Sequence, residues 1–223
     1  MIEKIISLVA PHRCLVCEST GELLCEACML TVLLPSPSRC FRCHRATQQH
    51  KVCQKCRRNI NLKHAWIATY YQETAKDLLH KYKFERAKAA SGPISLSLDV
   101  VLPDLPNEII VTHIPTANKR VRTRGYDQSK VIAKKLAKRR GWQHQTLLMR
   151  KGGSRQVGSG RTERFKQIET ALIPVNTNII KKAHILIIDD VTTTGATLEA
   201  AAKILKSKGA KNVEAAVFAQ AVD

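Results

Sequence analysis

The chain has 223 residues and carries 37 Lys and Arg against 18 Asp and Glu, a formal net charge of +19. Its length suits one ordinary domain with a small appendage, and a hydrophobic content of 44% suffices for a real core. No apolar run is long enough to span a bilayer, and the opening MIEKIISLVAP is too short an apolar patch to act as a signal peptide, so a cytoplasmic protein without membrane insertion is expected. A basic field of this size attracts polyanions such as nucleic acid, anionic lipid or a multiply phosphorylated ligand; the bland alternative is a solvated lysine-rich surface.

The chain changes character near residue 60. Residues 1–60 are short, loop-like and broken by Pro35 and Pro37, and they hold every cysteine: Cys14/Cys17, Cys25/Cys28, Cys40/Cys43 and Cys53/Cys56. Each CxxC forms a tight knuckle that aims two sulfurs at one point, and two knuckles complete a tetrahedral site for zinc. Disulfides fit poorly, because the cytosol keeps thiols reduced. With all four positions filled by protein, two such ions would fold the module and not catalyse. Eight thiolates around two zinc ions would lower the net charge to about +15. Sequential and interleaved pairing of the knuckles are both open. The basic residues between them (Arg39, Arg42, His44, Arg45, Lys51, Lys55, Arg57 and Arg58) make the module a candidate nucleic-acid contact, or a scaffold whose charges only solvate it.

Residues 61–223 read as a separate α/β domain with its own core. Residues 66–71 read as a strand, and residues 74–82 as a helix with Leu78, Leu79 and Tyr82 on one face. A short buried strand covers residues 109–114 and stops at Pro115. A helix follows over residues 129–140, with Ile132 and Leu136 inward and Gly141 as its stop. Residues 185–188 are four aliphatics in a row, typical of a parallel strand covered on both faces. A helix over 198–205 and a strand over 213–218 complete a βαβ unit, for which a right-handed crossover is expected.

The most informative segment runs from Ile185 to Thr197. A buried strand leads into Asp189 and Asp190, then into a small-residue loop, then into a helix. Acids at the carboxyl end of a parallel strand lie where α/β ligands bind, and two adjacent carboxylates suit the hydroxyls of a ribose, directly or through a divalent metal. Thr192, Thr193, Thr194, Gly195, Ala196 and Thr197 combine hydroxyl donors with a backbone free to approach an anion, at the positive end of the next helix. The segment lacks the Gly-Lys-Ser/Thr of a Walker loop and the spacing of a GxGxxG turn. An ordinary strand–turn–helix with an acidic turn is the plain alternative.

This string resembles the motif that binds phosphoribosyl pyrophosphate (PRPP) in type I phosphoribosyltransferases. The likeness extends over nearly the whole chain to the ComF/GntX family, in which a double zinc ribbon precedes such a domain. The segment from His113 to Ser129 is similar to that family's "Pro…Arg-Gly-Phe-Asn-Gln" block, Lys83-Phe84 to its Lys-Phe, and Arg150 to Arg164 with Gln156 to its "Arg…Gln…Arg" block. Tyr126 and Asp127 stand in place of Phe and Asn, Gln167 stands where Asn is usual, and Asp127 adds negative charge beside an expected anion site. The resemblance implies a pyrophosphate loop at Thr116, Ala117, Asn118, Lys119 and Arg120, with magnesium accompanying PRPP. It also implies a mobile loop over residues 150–164 that closes on the ligand.

What the resemblance implies for function is a role in natural transformation, handling incoming single-stranded DNA, with a competence helicase or other DNA-processing proteins as candidate partners. A metabolic phosphoribosyltransferase with an unidentified small acceptor is the alternative, and a nonenzymatic PRPP sensor a third reading. Purine salvage is disfavoured, because Thr193 stands where purine-type members carry an acid. Aromatic residues make up 4% of the chain, and Trp66, Tyr70 and Phe218 fall in expected strands, so DNA binding is expected to be electrostatic and without a stacking platform.

Overall fold

The computed structural model describes residues 11–33, 35–85, 87–151 and 171–221. In chain order these form β1 (His12–Arg13), β2 (Thr20–Gly21), α1 (Glu26–Val32), α2 (Gln54–Arg57), β3 (Ala65–Tyr70), α3 (Glu73–Phe84), α4 (Ser91–Val101), β4 (Ile110–His113), α5 (Asn118–Arg124) and α6 (Gln128–Arg140). There follow β5 (Gln143–His144), β6 (Leu148–Arg150), β7 (Leu172–Pro174), α7 (Thr177–Ile180), β8 (His184–Thr192), α8 (Ala196–Ser207) and β9 (Asn212–Gln220). Strands β3, β9, β8, β4 and β5 line up in that order as one sheet, and every neighbouring pair is parallel. The α/β reading with a parallel phosphoribosyltransferase-like sheet therefore holds.

Burial on both faces follows from the alternation of side chains along each strand. Leu186 and Ile188 of β8 enter one core, while Ile185 and Ile187 enter the other. Phe218 and Val217 of β9 divide in the same way, as do Trp66 and Ile67 of β3. The first face is covered by α3, α4 and α6 through Leu78, Leu79, Tyr82, Ile94, Leu98, Ile132 and Leu136. The second is covered by α8 through Leu198, Ala201, Ala202 and Leu205, joined by Leu147, Leu148, Leu172 and Ile180.

The cysteine-rich segment wraps the β3 edge of this sheet. Leu23, Leu24, Met29 and Leu33 join the first core, whereas Phe41 and Val52 join the second. Between them the chain passes along β3, where Pro35 bridges Thr69 and the Ser36 N–H donates to the Ala68 carbonyl at 3.2 Å. An edge strand that could pair with another chain is covered in this way. The expectation that the sheet domain builds its core separately is corrected here, because both cores contain residues from the cysteine-rich segment.

Candidate functional site

The two halves of the cysteine-rich segment repeat one local design. Cys14 and Cys40 each open a tight turn, closed by Glu18 N–H donating to the Cys14 carbonyl and His44 N–H donating to the Cys40 carbonyl, and both Glu18 and His44 are left-handed, at φ 58° and 57°. Cys25 and Cys53 then cap α1 and α2 in extended conformation. The outcome is two clusters, Cys14 with Cys17, Cys25 and Cys28, and Cys40 with Cys43, Cys53 and Cys56, each with its sulfurs within 4.8 Å of one another. Sequential pairing is thereby established, and all eight cysteines are free thiols.

The sulfur spacing tests the fit to a metal. A tetrahedral ion with metal–sulfur bonds of about 2.3 Å needs sulfurs about 3.8 Å apart. Cys14–Cys25 and Cys17–Cys25 lie at 3.8 Å, and Cys43–Cys53 at 3.6 Å. Each cluster could hold one such ion. Contacts with Cys25 and then Cys17 push the Cys28 thiol up to about 12, so four thiolates at this spacing call for a cation among them.

The second site lies at the carboxyl end of the sheet. A cavity of about 240 Å³ is lined from β8 and its exit by Asp189, Asp190, Val191 and Thr197, and from the β4 exit by Thr116, Ala117, Arg120 and Arg124. Lys83, Ser129 and Arg150 complete its charged and polar wall. The acids lie within β8, which runs on to Thr192, and are not in the loop beyond it. Asp189 is buried; it accepts from Ser129 Oγ at 3.0 Å and from the Asp190 N–H at 2.9 Å. Burial, and then the charge on Asp190, push its carboxyl up to about 8. Asp190 faces Lys83 Nζ at 2.9 Å.

Of the expected anion-binding residues, Thr116, Ala117, Arg120, Asp189, Asp190 and Thr197 share this cavity. Thr192 ends β8, Thr193, Thr194 and Gly195 form the turn and Ala196 opens α8; none of these is in the cavity wall, and Asn118 and Lys119 are likewise outside it. The expected pyrophosphate loop is half helix, since α5 begins at Asn118. The expected mobile loop lies outside the described residues beyond Lys151; within them, Arg150 donates from Nε to the Pro115 carbonyl at 2.9 Å.

Asp127 and Tyr126 have definite positions. Asp127 caps α6 by accepting from the Lys130 N–H, and it also accepts from the Thr116 N–H at 3.0 Å and Thr116 Oγ1 at 3.1 Å. Its charge pins the loop after β4 to the start of α6. The Tyr126 hydroxyl, absent from a Phe, donates to the Tyr82 carbonyl in the last turn of α3, and the Tyr82 hydroxyl donates to the Gln128 carbonyl at 2.9 Å. Lys83, Ser129 and Arg124 are functional candidates that motif reading left unassigned. Their signal was present in Lys83-Phe84 and in the Arg-Gly-Tyr-Asp-Gln-Ser run, but their convergence depends on how α3, α5 and α6 pack.

The second cysteine cluster meets the phosphate-type turn directly. Gly195, left-handed at φ 75°, caps α8, and a Cβ built there would lie 2.2 Å from Phe41 Cε2. Only glycine fits against that ring. Gln220 Nε2 donates to the Phe41 carbonyl at 3.1 Å, and Arg42 Nε lies 2.8 Å from Glu199 in the first turn of α8.

Comparison with known proteins agrees with this architecture. Residues 127–222 match the phosphoribosyl transferase domain family. Competence protein ComFC of Bacillus subtilis is 27% identical over 199 residues, covering 84% of this chain and 80% of that protein. Its namesake in Streptococcus pneumoniae is 29% identical, covering 90% and 84%. DNA utilization protein YhgH of Escherichia coli K12 is 24% identical over 220 residues, covering 86% and 94%. Among solved structures, an allosteric regulatory enzyme of purine biosynthesis matches with a TM-score of 0.41 at 16% identity, over 58% of this chain and a quarter (25%) of that one. In its paired cysteine clusters, its parallel sheet and its relatives along most of its length, the chain is similar to the competence protein ComFC and DNA utilization protein YhgH group.

Proposed function

We propose that the protein binds PRPP with magnesium in the cleft at the end of the sheet and handles single-stranded DNA during DNA uptake, in the cytoplasm. Two structural zinc ions in the cysteine clusters hold it together. The observation that carries the PRPP reading is the convergence of Asp189 and Asp190 with Lys83, Arg120, Arg124 and Arg150 around one cavity. Two carboxylates suit ribose hydroxyls or a magnesium ion, and the cations offset the charge of a diphosphate. The turn from Thr192 to Thr197, at the start of α8, is the natural seat for the 5-phosphate. The DNA reading draws on the net charge of +19 and on relatives named for competence and DNA utilization.

Calorimetry with PRPP and magnesium tests the ligand. Lys83→Ala and Asp190→Ala should each weaken binding by about ten- to a hundredfold, the cost of removing one charge-assisted partner. An unaltered protein that ignores millimolar PRPP would sink the reading. Transformation frequency in a deletion strain carrying an Asp189→Ala, Asp190→Ala variant then asks whether the cleft serves DNA uptake.

A further inference from the structure

Phe84 ends α3 with two-thirds of its surface (67%) in solvent. Isolated exposed hydrophobics are common and need no explanation of their own. This one is distinguished by what stands on it. The Arg124 guanidinium carbon lies 5.4 Å from its ring centroid, and the His80 ring lies 5.0 Å away, tilted by 38°. The residue before it, Lys83, reaches into the cleft to Asp190, and Arg124 itself lines the cleft. Exposed Lys119, Arg120 and Arg122 continue the positive surface along α5. The neighbouring Glu85 pairs with Lys81 at 3.0 Å and lies 3.5 Å from His80 Nδ1.

A planar ring bearing a guanidinium and an imidazole, set in a positive field, has the chemistry of a base-stacking site. Every nucleobase offers a π-face, and the surrounding cations offset the phosphates that arrive with it. A lipid surface would need a wider apolar patch than one ring. We infer that Phe84, with Arg124 and His80, is a stacking platform for an unpaired base of single-stranded DNA at the rim of the cleft. This departs from the expectation of binding without a platform, and it rests on the single-strand reading above, not on PRPP.

The test compares labelled oligo(dT) with an abasic strand of equal length, by fluorescence anisotropy. The unaltered protein should prefer oligo(dT). Phe84→Ala should weaken oligo(dT) binding by between about five- and a hundredfold and leave the abasic strand unaffected, since stacking acts on bases alone. Phe84→Trp should retain the preference and report the base through quenching of its indole. Thymidine monophosphate as competitor separates sources: competition at the strand's own concentration would reassign the site to a mononucleotide and overturn the strand assignment. Equal loss on both strands, or no loss on either, overturns the platform. Failure of the unaltered protein to bind either strand at low salt removes the DNA reading and the platform together. PRPP calorimetry on the unaltered protein is a separate measurement, whose failure would leave the platform standing.

Discussion

Asp189 is a carboxyl buried at the end of the sheet. The folded protein holds its carboxyl at about 8, whereas an exposed Asp titrates near 3.8. Between those values the native state keeps a proton that the unfolded chain has released, so this residue lowers stability progressively as pH rises from about 4 to about 8. Asp189→Asn keeps an oxygen for the Ser129 hydroxyl and the Asp190 N–H but removes the titration. The melting temperature of the variant relative to the parent should therefore climb across that window, and parallel curves would contradict the assignment. The comparison must be relative, because His113, pushed down to about 3 by burial, has the opposite slope below neutral pH. The acids themselves were readable from the sequence, since an aliphatic run ending in two carboxylates has few other uses. That Ser129 and Lys83 would serve them was not, because each arrives from a helix far away in the chain.

Elements tell a similar story of pattern and packing. Strands β8 and β9 and helices α6 and α8 show through as aliphatic runs and helical periodicity. Helix α4 does not, since SGPISLSLDVV reads as loop: it opens on Ser, Gly and Pro, and its serines are polar. In place, Ser95 donates to the Gly92 carbonyl and Ser97 to the Pro93 carbonyl, so buried hydroxyls find partners within the helix. The four CxxC spacings marked the cysteine clusters, yet nothing in the spacing disclosed that one cluster would join each face of the sheet. That placement changes what metal removal should do. Protein purified without chelator should contain two zinc ions per chain by elemental analysis. Stripping them should lower the unfolding transition of the entire chain, and not merely loosen residues 14–56, because Leu24 and Phe41 are fully buried in the two main cores. A sheet domain that melts unchanged after chelation would refute the shared core.

For the molecule as a whole, charge is the dominant property. No helix among the described residues is long and apolar enough to cross a membrane. Exposed Lys55, Arg57 and Arg58 on α2 and after it, together with α5, offer cations to phosphates, whereas Arg42 is engaged by Glu199 and is unsuited to a DNA role. Affinity for single-stranded DNA should fall steeply with salt. Neutralising Lys55, Arg57 and Arg58 together should reduce the logarithmic slope by about 0.7 for each phosphate that is no longer neutralised. A slope that stays constant would place the strand elsewhere on the surface.

The packing of Phe41 on Gly195 has a thermodynamic meaning. Phe41 lies between two cysteines of one cluster in the chain, and Gly195 caps the helix beside the ligand cleft. If an ion in that cluster fixes the ring and the ring fixes the turn, metal and ligand affinities are linked, and linkage is reciprocal. Whatever factor zinc contributes to PRPP affinity, PRPP must return to zinc. A saturating ligand should then slow the escape of one zinc to a chelator dye while leaving the other, on the opposite face of the sheet, to depart at its own rate.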